Sequence, residues 1–401
     1  MRSPVPDYLD EVLHACADVT SGAPADYIPE LARADLSLAA IALTTVEDAH
    51  HGAGDDRHRF TIQSMSKPFA YALAIEKRGL AAVLGHIDVE PSGETFNEIS
   101  LDPQSGRPRN PMVNAGAIAT SALMGSSGEF ADFASQLAGR ELAVDEDVFA
   151  SEMGTTHRNL ALAHLLAAYG IIEDPVATVE TYVRQCSLLV DVHDLASMAA
   201  TLANGGVQPS TGRRLMDERT ARHVLSVMTT CGMYDAAGDW LTSVGIPAKS
   251  GVSGGIIGVL PGQVGLAVFS PALDPHGNSA RGVAMMERLS SDLGMHLMNP
   301  GRPARSALAD VHVAGDETTY VLSGDLLFAS AESLIRHLVA EPPPTPSVVF
   351  DITRVDEVTD VGRRMALEAK RRLEAEGLCV RIIDSEGEDR LDHPPGPSGE
   401  R

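Results

Sequence analysis

QSMSKPF, residues 63–69, places two serines and one lysine within five positions. A serine hydroxyl is inert at neutral pH unless a base lies within hydrogen-bond reach. On a helix, residues three or four apart share a face, whereas adjacent residues diverge. If a helix opens here, Lys67 sits one turn from Ser64 and points away from Ser66. The spacing therefore selects Ser64 as nucleophile and Lys67 as its base. Ser-x-x-Lys arises often by chance, but lysine is scarce in this chain. Of its 31 Lys and Arg residues only Lys67, Lys77, Lys249 and Lys370 are lysine. Arginine stays protonated, whereas lysine gives up its proton when desolvated or crowded by charge.

A second lysine stands in PAKSGVSGG, residues 247–255. Lys249-Ser250-Gly251 has the Lys-Ser/Thr-Gly form that accompanies Ser-x-x-Lys in the penicillin-recognising serine enzymes. Residues 256–260 and 265–269 read as antiparallel strands turning at Pro261-Gly262. Lys249 is then a nearby cation able to lower the pKa of Lys67, with desolvation adding the remainder.

At 401 residues the chain exceeds one typical domain, and 44% hydrophobic content describes a globular protein. No apolar run approaches the roughly 18 residues of a membrane span. The start, MRSPVPDYLDEVL, lacks the apolar stretch of a signal peptide, so a cytoplasmic location is expected. Cys16, Cys186, Cys231 and Cys379 form no Cys-x-x-Cys pair and read as reduced, buried thiols. A net charge of -24 argues against nucleic acid or an anionic membrane as partner.

Strands are expected at residues 36–45 and 60–63, a helix at 64–78, and a long loop at 90–117, with helices dominating to about 230. Residues 298–310, MNPGRPARSALAD, look like a linker. Beyond them, strands at 318–322, 347–352 and 379–383 alternate with helical faces, which makes a small α/β unit. The polar tail from 386 is expected to be disordered.

FTIQSMSKPF, EPSGETFNEIS, NPMVNAGAI, SEMGTTHRN, YVRQCSLLV, LANGGVQP, TTCGMYDAAGDW, VGIPAKSGVSGGI and DPHGNSARG follow one another in order. With these segments the region from about 10 to 300 closely resembles the bacterial serine-dependent glutaminases. The resemblance implies an α+β, β-lactamase/transpeptidase-like fold: an antiparallel sheet with a helical cluster. It implies Ser64 as nucleophile and Lys67 as base, with Ser64, Asn114, Glu152, Asn159, Tyr182, Tyr234 and Val252 lining a pocket for L-glutamine. It implies no cofactor, no metal, and a homo-oligomer. Residues 308–385 resemble a STAS domain through LSGDLLFASAESL and VVFDITRVDEVTDVG, and Asp360 falls near the phosphoacceptor position of that family. A regulatory protein partner is implied for this part. The expected division is a catalytic domain at 1–300, a linker at 301–310, a STAS-like domain at 311–385 and a tail at 386–401.

The chemistry follows from the substrate. A cationic α-amino group calls for a carboxylate, hence Glu152, and Asn114 and Asn159 can offer amide donors to the α-carboxylate. Either Tyr182 or Tyr234 can protonate departing ammonia. Backbone N–H groups of Ser64 and Val252 suit the oxyanion. Rival readings are weaker. A β-lactamase or peptidase is disfavoured by the missing Ser-Asp-Asn segment and export signal. His157 and His164 lack metal-protease spacing, and Cys231 reads as packing. A non-catalytic glutamine sensor is opposed by the intact Ser64, Lys67 and Lys249.

Overall fold

The computed structural model describes residues 2–92, 99, 101–299 and 307–384. The expected tail, most of the expected linker, and residues 93–98 and 100 of the long loop lie outside them. Two compact units divide the chain. The larger comprises Leu9–Ser290 with Met295–Leu297, and the smaller the described parts of Met1–Tyr8, Ser291–Gly294 and Met298–Arg401.

Among the described residues seven strands belong to the larger unit: β1 (Ala40–Thr45), β2 (His50–Gly54), β3 (Phe60–Thr61), β4 (Leu189–Val190), β5 (Ala248–Ser250), β6 (Gly255–Leu260) and β7 (Val264–Phe269). Five of them form an antiparallel sheet in the order β2-β1-β7-β6-β5. Strands β3 and β4 make a separate two-residue ladder. Every residue of β1, β6 and β7 is buried, which explains their continuous apolar runs without alternation. The helix Val192–Ala203 packs on β7, β1 and β6. It is buried almost all round, as its composition requires. Asp191 caps it by accepting from the N–H groups of His193 and Asp194, while the Asp194 carboxylate accepts from Asp191 N–H at 2.8 Å. Gly265 permits the contact of β7 with this helix, because a Cβ there would sit 2.1 Å from the Ala200 nitrogen. The helices Lys67–Arg78, Asn114–Met124, His157–Ala168 and Pro175–Cys186 form a second packed group.

Three local readings need correction. The helix expected from Ser64 begins at Lys67, preceded by a 3-10 turn over Gln63–Ser66. Pro68 lies in the first helical turn, where its missing N–H costs nothing. Side chains three apart eclipse in a 3-10 turn, so Ser64 and Lys67 still share a face. The strand expected at 36–45 shortens to β1, and the one at 60–63 ends at Thr61. Strand β2, HHGAG, has no β-branched or aromatic run to announce it. The expected hairpin is present as β6 and β7, with Leu260 opposite Val264 and Gly262 at φ 75° in the turn.

In the smaller unit, β8 (Leu308–Ala314), β9 (Glu317–Leu326), β10 (Ser347–Val358) and β11 (Cys379–Ile383) form a sheet in the order β11-β10-β9-β8. Strand β10 is parallel to β9 and β11, and the helices Phe328–Ala340 and Asp360–Ala375 make the crossovers. Strand β8 runs antiparallel along the edge and takes Leu308 and Asp310 out of the expected linker. It was hidden because Asp310 and His312 interrupt its apolar residues and most of it is exposed. Among the described residues no helix is long and apolar enough to cross a membrane.

Gly265→Ala should destabilise the larger unit by about 1–3 kcal/mol through overpacking against Ala200. Chemical denaturation measures this, and an unchanged midpoint would show that strand and helix separate at no cost.

Candidate active site

The short β3–β4 ladder and the bond from Ile62 N–H to Leu188 O, at 2.8 Å, deliver the chain into the turn carrying Ser64. Gln63 takes φ 48°, a left-handed conformation that is unfavourable for a residue with a side chain. Its carbonyl is held by Ser66, whose hydroxyl donates to Gln63 O at 2.7 Å and accepts from Gln185 Nε2 at 2.8 Å. Ser66 is thereby committed to the framework. Ser64 instead borders a cavity and hydrogen-bonds the Tyr234 phenol.

Two lysines lie beneath this turn, both buried. Lys67 Nζ donates to Asn114 Oδ1 at 2.8 Å and to Met112 O at 3.2 Å. Burial lowers its pKa from 10.5 to about 8, against the opposing pull of Cys186 and Glu152. Lys249, from β5, donates to Ser250 O at 2.8 Å and lies 3.9 Å from the centroid of the Tyr234 ring. Burial pushes Lys249 well below its ordinary range, and the neighbouring Lys67 charge pushes it further. Burial is the largest cause of the shift for both amines, which reverses the expected order of the two effects, and the repulsion between Lys67 and Lys249 acts alongside it.

Ser64, Asn114, Glu152, Asn159, Tyr182 and Val252 border one cavity of about 290 Å³. Glu152 is buried and accepts from Gln63 Nε2 at 3.4 Å. Burial lifts its carboxyl to about 7, partly offset by Gln63 and Lys67. Asn114 Oδ1 accepts from Lys67 and from the Tyr182 hydroxyl, the latter at 3.3 Å. Asn114 Nδ2 donates to Asn159 Oδ1 at 3.2 Å, and Asn159 Nδ2 donates to Thr156 Oγ1 at 3.0 Å. Each asparagine has thus committed one of its two amide hydrogens within the protein. Val252 occupies a turn closed by Gly254 N–H to Gly251 O and Gly251 N–H to Gly255 O, both 2.9 Å, with Gly254 at φ 102°. The Val252 N–H takes no part in that closure. Tyr234 is not on the cavity wall. Its hydroxyl donates to Ser250 O at 3.3 Å, and burial keeps its pKa above 10.

Five further residues border the cavity: Tyr27, Gln63, Thr155, Thr156 and Arg158. Gln63 sits inside the opening motif, and Thr155, Thr156 and Arg158 lie in SEMGTTHRN, so both segments pointed to them without separating wall from framework. Tyr27 is half exposed, in a stretch with no periodicity, and only the tertiary fold brings it here. Cys231 is buried, with burial raising its thiol to about 11. Among the described residues no group of three or more His, Cys, Asp or Glu side chains could hold a metal ion.

Comparison with known proteins shows the family. Residues 22–298 match the family model described as Glutaminase. The chain is 47% identical to a glutaminase of Corynebacterium efficiens, covering 96% of this chain and 93% of that one. It is 48% identical to a glutaminase of Trichormus variabilis over 302 residues, which are 74% of this chain and 90% of the relative. Among solved structures, that of Mglu in its glutamate form superposes with a TM-score of 0.74 at 43% identity, covering 96% of this chain and all of the other. By family model, by sequence over nearly its full length and by structure, this chain belongs to the glutaminase family and is a hydrolase acting on glutamine.

Proposed function

We propose that the enzyme cleaves the side-chain amide of L-glutamine through an acyl-enzyme on Ser64. The observation that carries this reading is Ser64 at the cavity wall, one 3-10 turn from a buried lysine of lowered pKa. Neutral Lys67 takes the Ser64 proton as Oγ attacks the γ-carbonyl carbon. The oxyanion is met by the N–H groups of Ser64 and Val252. Collapse breaks the C–N bond, and a proton must reach the nitrogen for ammonia to leave. That proton is the one Lys67 took from Ser64, relayed by Tyr234, whose phenol interacts with Ser64, while the Tyr182 hydroxyl is turned to Asn114 Oδ1. Lys67 is then neutral again, takes a proton from the water that attacks the ester carbonyl, and returns it to Ser64 Oγ as glutamate leaves. The α-ammonium of the substrate pairs with Glu152, and the remaining amide hydrogens of Asn114 and Asn159 are free for its α-carboxylate.

For the smaller unit we infer a STAS-like regulatory or assembly role with no catalytic group. The parallel β9-β10-β11 core with two crossover helices supports it. So does the Trichormus variabilis relative, which is nearly used up by a 302-residue match. Asp360 opens the helix Asp360–Ala375 and pairs with Arg363 at 2.8 Å and Arg364 at 3.4 Å, holding its carboxyl below the usual range. A location in the cytoplasm, a homo-oligomeric assembly and a protein partner for this unit belong to the same proposal, as does the β-lactamase/transpeptidase-like fold of the larger unit.

Ser64→Ala should abolish ammonia release, whereas Ser66→Ala, which loses only a framework bond, should retain measurable activity. A dead Ser66 variant beside a live Ser64 variant would reverse the assignment. Lys67→Arg should be as inactive as Lys67→Ala, because a guanidinium cannot accept the proton. In the unmodified enzyme kcat/KM should rise with pH through about 8, the range in which Lys67 becomes neutral. Glu152→Gln should raise the KM for glutamine by roughly 10- to 100-fold, the scale of one lost charge-assisted contact. Since Glu152 is ionised only above about 7, KM should also climb as pH falls below that value. An unaltered KM in the variant would remove Glu152 from the pocket. A chain ended after residue 305 should release ammonia but differ in assembly size by light scattering. A folded, inactive truncation would show that the smaller unit completes the site.

A further inference from the structure

DPHGNSARG, residues 274–282, contributes no residue to the cavity wall. Its first five residues close a tight turn. Asp274 N–H donates to Asn278 O at 2.7 Å, and the Asp274 carboxylate accepts from the N–H groups of His276 and Asn278, both at 2.9 Å. The turn is tied to the end of β7 by Ser279 Oγ to Ser270 O at 2.6 Å and Ala280 N–H to Ala272 O at 2.9 Å. From this anchored base His276 reaches Asp235, with 3.0 Å between His276 Nδ1 and Asp235 Oδ2. Asp235 directly follows Tyr234 in the 3-10 turn Tyr234–Ala236.

We propose that the His276–Asp235 ion pair is a positioning device for Tyr234, fixing the turn so that the phenol stays on Ser64 for proton transfer. It rests on the reading of Tyr234 as the proton relay. The need for such a device is visible in the backbone. Tyr234 sits at φ 57°, a conformation that bulky residues keep only where surrounding structure enforces it. Its own hydroxyl contact to Ser250 O is long, at 3.3 Å. His276 and Asp235 supply an external grip from a turn that is itself hydrogen-bonded shut. The charged groups around His276 are Asp235 and Asp239 on the opposing segment and Asp274 on its own turn, all acidic. They favour the imidazolium, chiefly through the hydrogen bond with Asp235, and raise the histidine pKa. The pair therefore weakens as pH rises through the titration of His276, which lies above the ordinary histidine range. Lys67 sets the rising limb of activity with pH, and weakening of this grip opposes it.

The test compares kcat and KM across pH for the full chain and for His276→Ala, His276→Lys, Asp235→Asn and Tyr234→Phe. An exposed ion pair acts modestly, so His276→Ala and Asp235→Asn should each lower kcat by about three- to five-fold at neutral pH with KM for glutamine little changed. His276→Lys should restore kcat and sustain it above the titration of His276, where the unmodified enzyme loses the charge on that side of the pair. In a Tyr234→Phe background, His276→Ala should cause no further loss. Unchanged kcat in both His276→Ala and Asp235→Asn, or failure of lysine to rescue, would overturn the proposal while an impaired Tyr234→Phe left the relay reading intact. A fully active Tyr234→Phe would instead remove the relay reading itself, and the positioning role with it.

Discussion

Two primary amines held away from water set the conditions for everything around them. Lowering the pKa of Lys67 from 10.5 to about 8 corresponds to roughly 3 kcal/mol of penalty on its charged form. Between those two values the unfolded chain binds the proton that the folded chain has released. Folding stability therefore rises with pH across that window, and below it the penalty is present in full. Net stabilities of domains are only about 5–15 kcal/mol, so the cost is a large fraction of the whole. The sheet residues buried at every position and the helix Val192–Ala203 offset it. The apolar mass of the larger unit thus lets one nitrogen give up its proton at about pH 8, well below the range of a free lysine.

The same mass keeps strained backbone in place. Among the described residues three non-glycines have positive φ, and two of them, Gln63 and Tyr234, flank Ser64 in space. Each is held in place, Gln63 by Ser66, which Gln185 fixes in turn, and Tyr234 by contacts with Ser64 and Ser250. A chain of amides runs from Lys67 through Asn114 and Asn159 to Thr156, and it has a direction. Oxygen faces the amine and nitrogen faces outward, so the chain accepts from Lys67 whether that group is charged or neutral.

What could be read from the sequence follows the range of the forces involved. Local spacing found Ser64 and Lys67, since one turn of either helix type brings them together. The β6–β7 hairpin was legible because Pro261-Gly262 and two apolar runs carry their own signal. Lys249 was legible as a motif, but the dominance of burial in shifting both amines was not, because burial is a property of the packed core. Asn114, Glu152, Asn159, Tyr182, Tyr234 and Val252 were reached through family likeness, since nothing in local pattern distinguishes them from caps, surface acids or half-buried rings. Tyr27 and the partners of Ser66 were invisible, being brought in by contacts far apart in sequence. Strand β2 and strand β8 were missed for a compositional reason: neither has an uninterrupted apolar stretch.

Strand β8 has a bearing on how the protein behaves at high concentration. Among the described residues the sheet ends at its outer edge, with Val313 58% and Val311 36% exposed. An edge with exposed valines is a template for strand addition by another chain. Between those valines stands His312, 3.3 Å from Asp310, so an incoming strand would have to strip water from polar groups at alternate positions. The net charge of -24 adds repulsion between copies, but at physiological salt that field fades within about 8 Å. Protection of the edge against fibrillar association therefore falls to two polar side chains within the strand more than to the acidity of the protein as a whole.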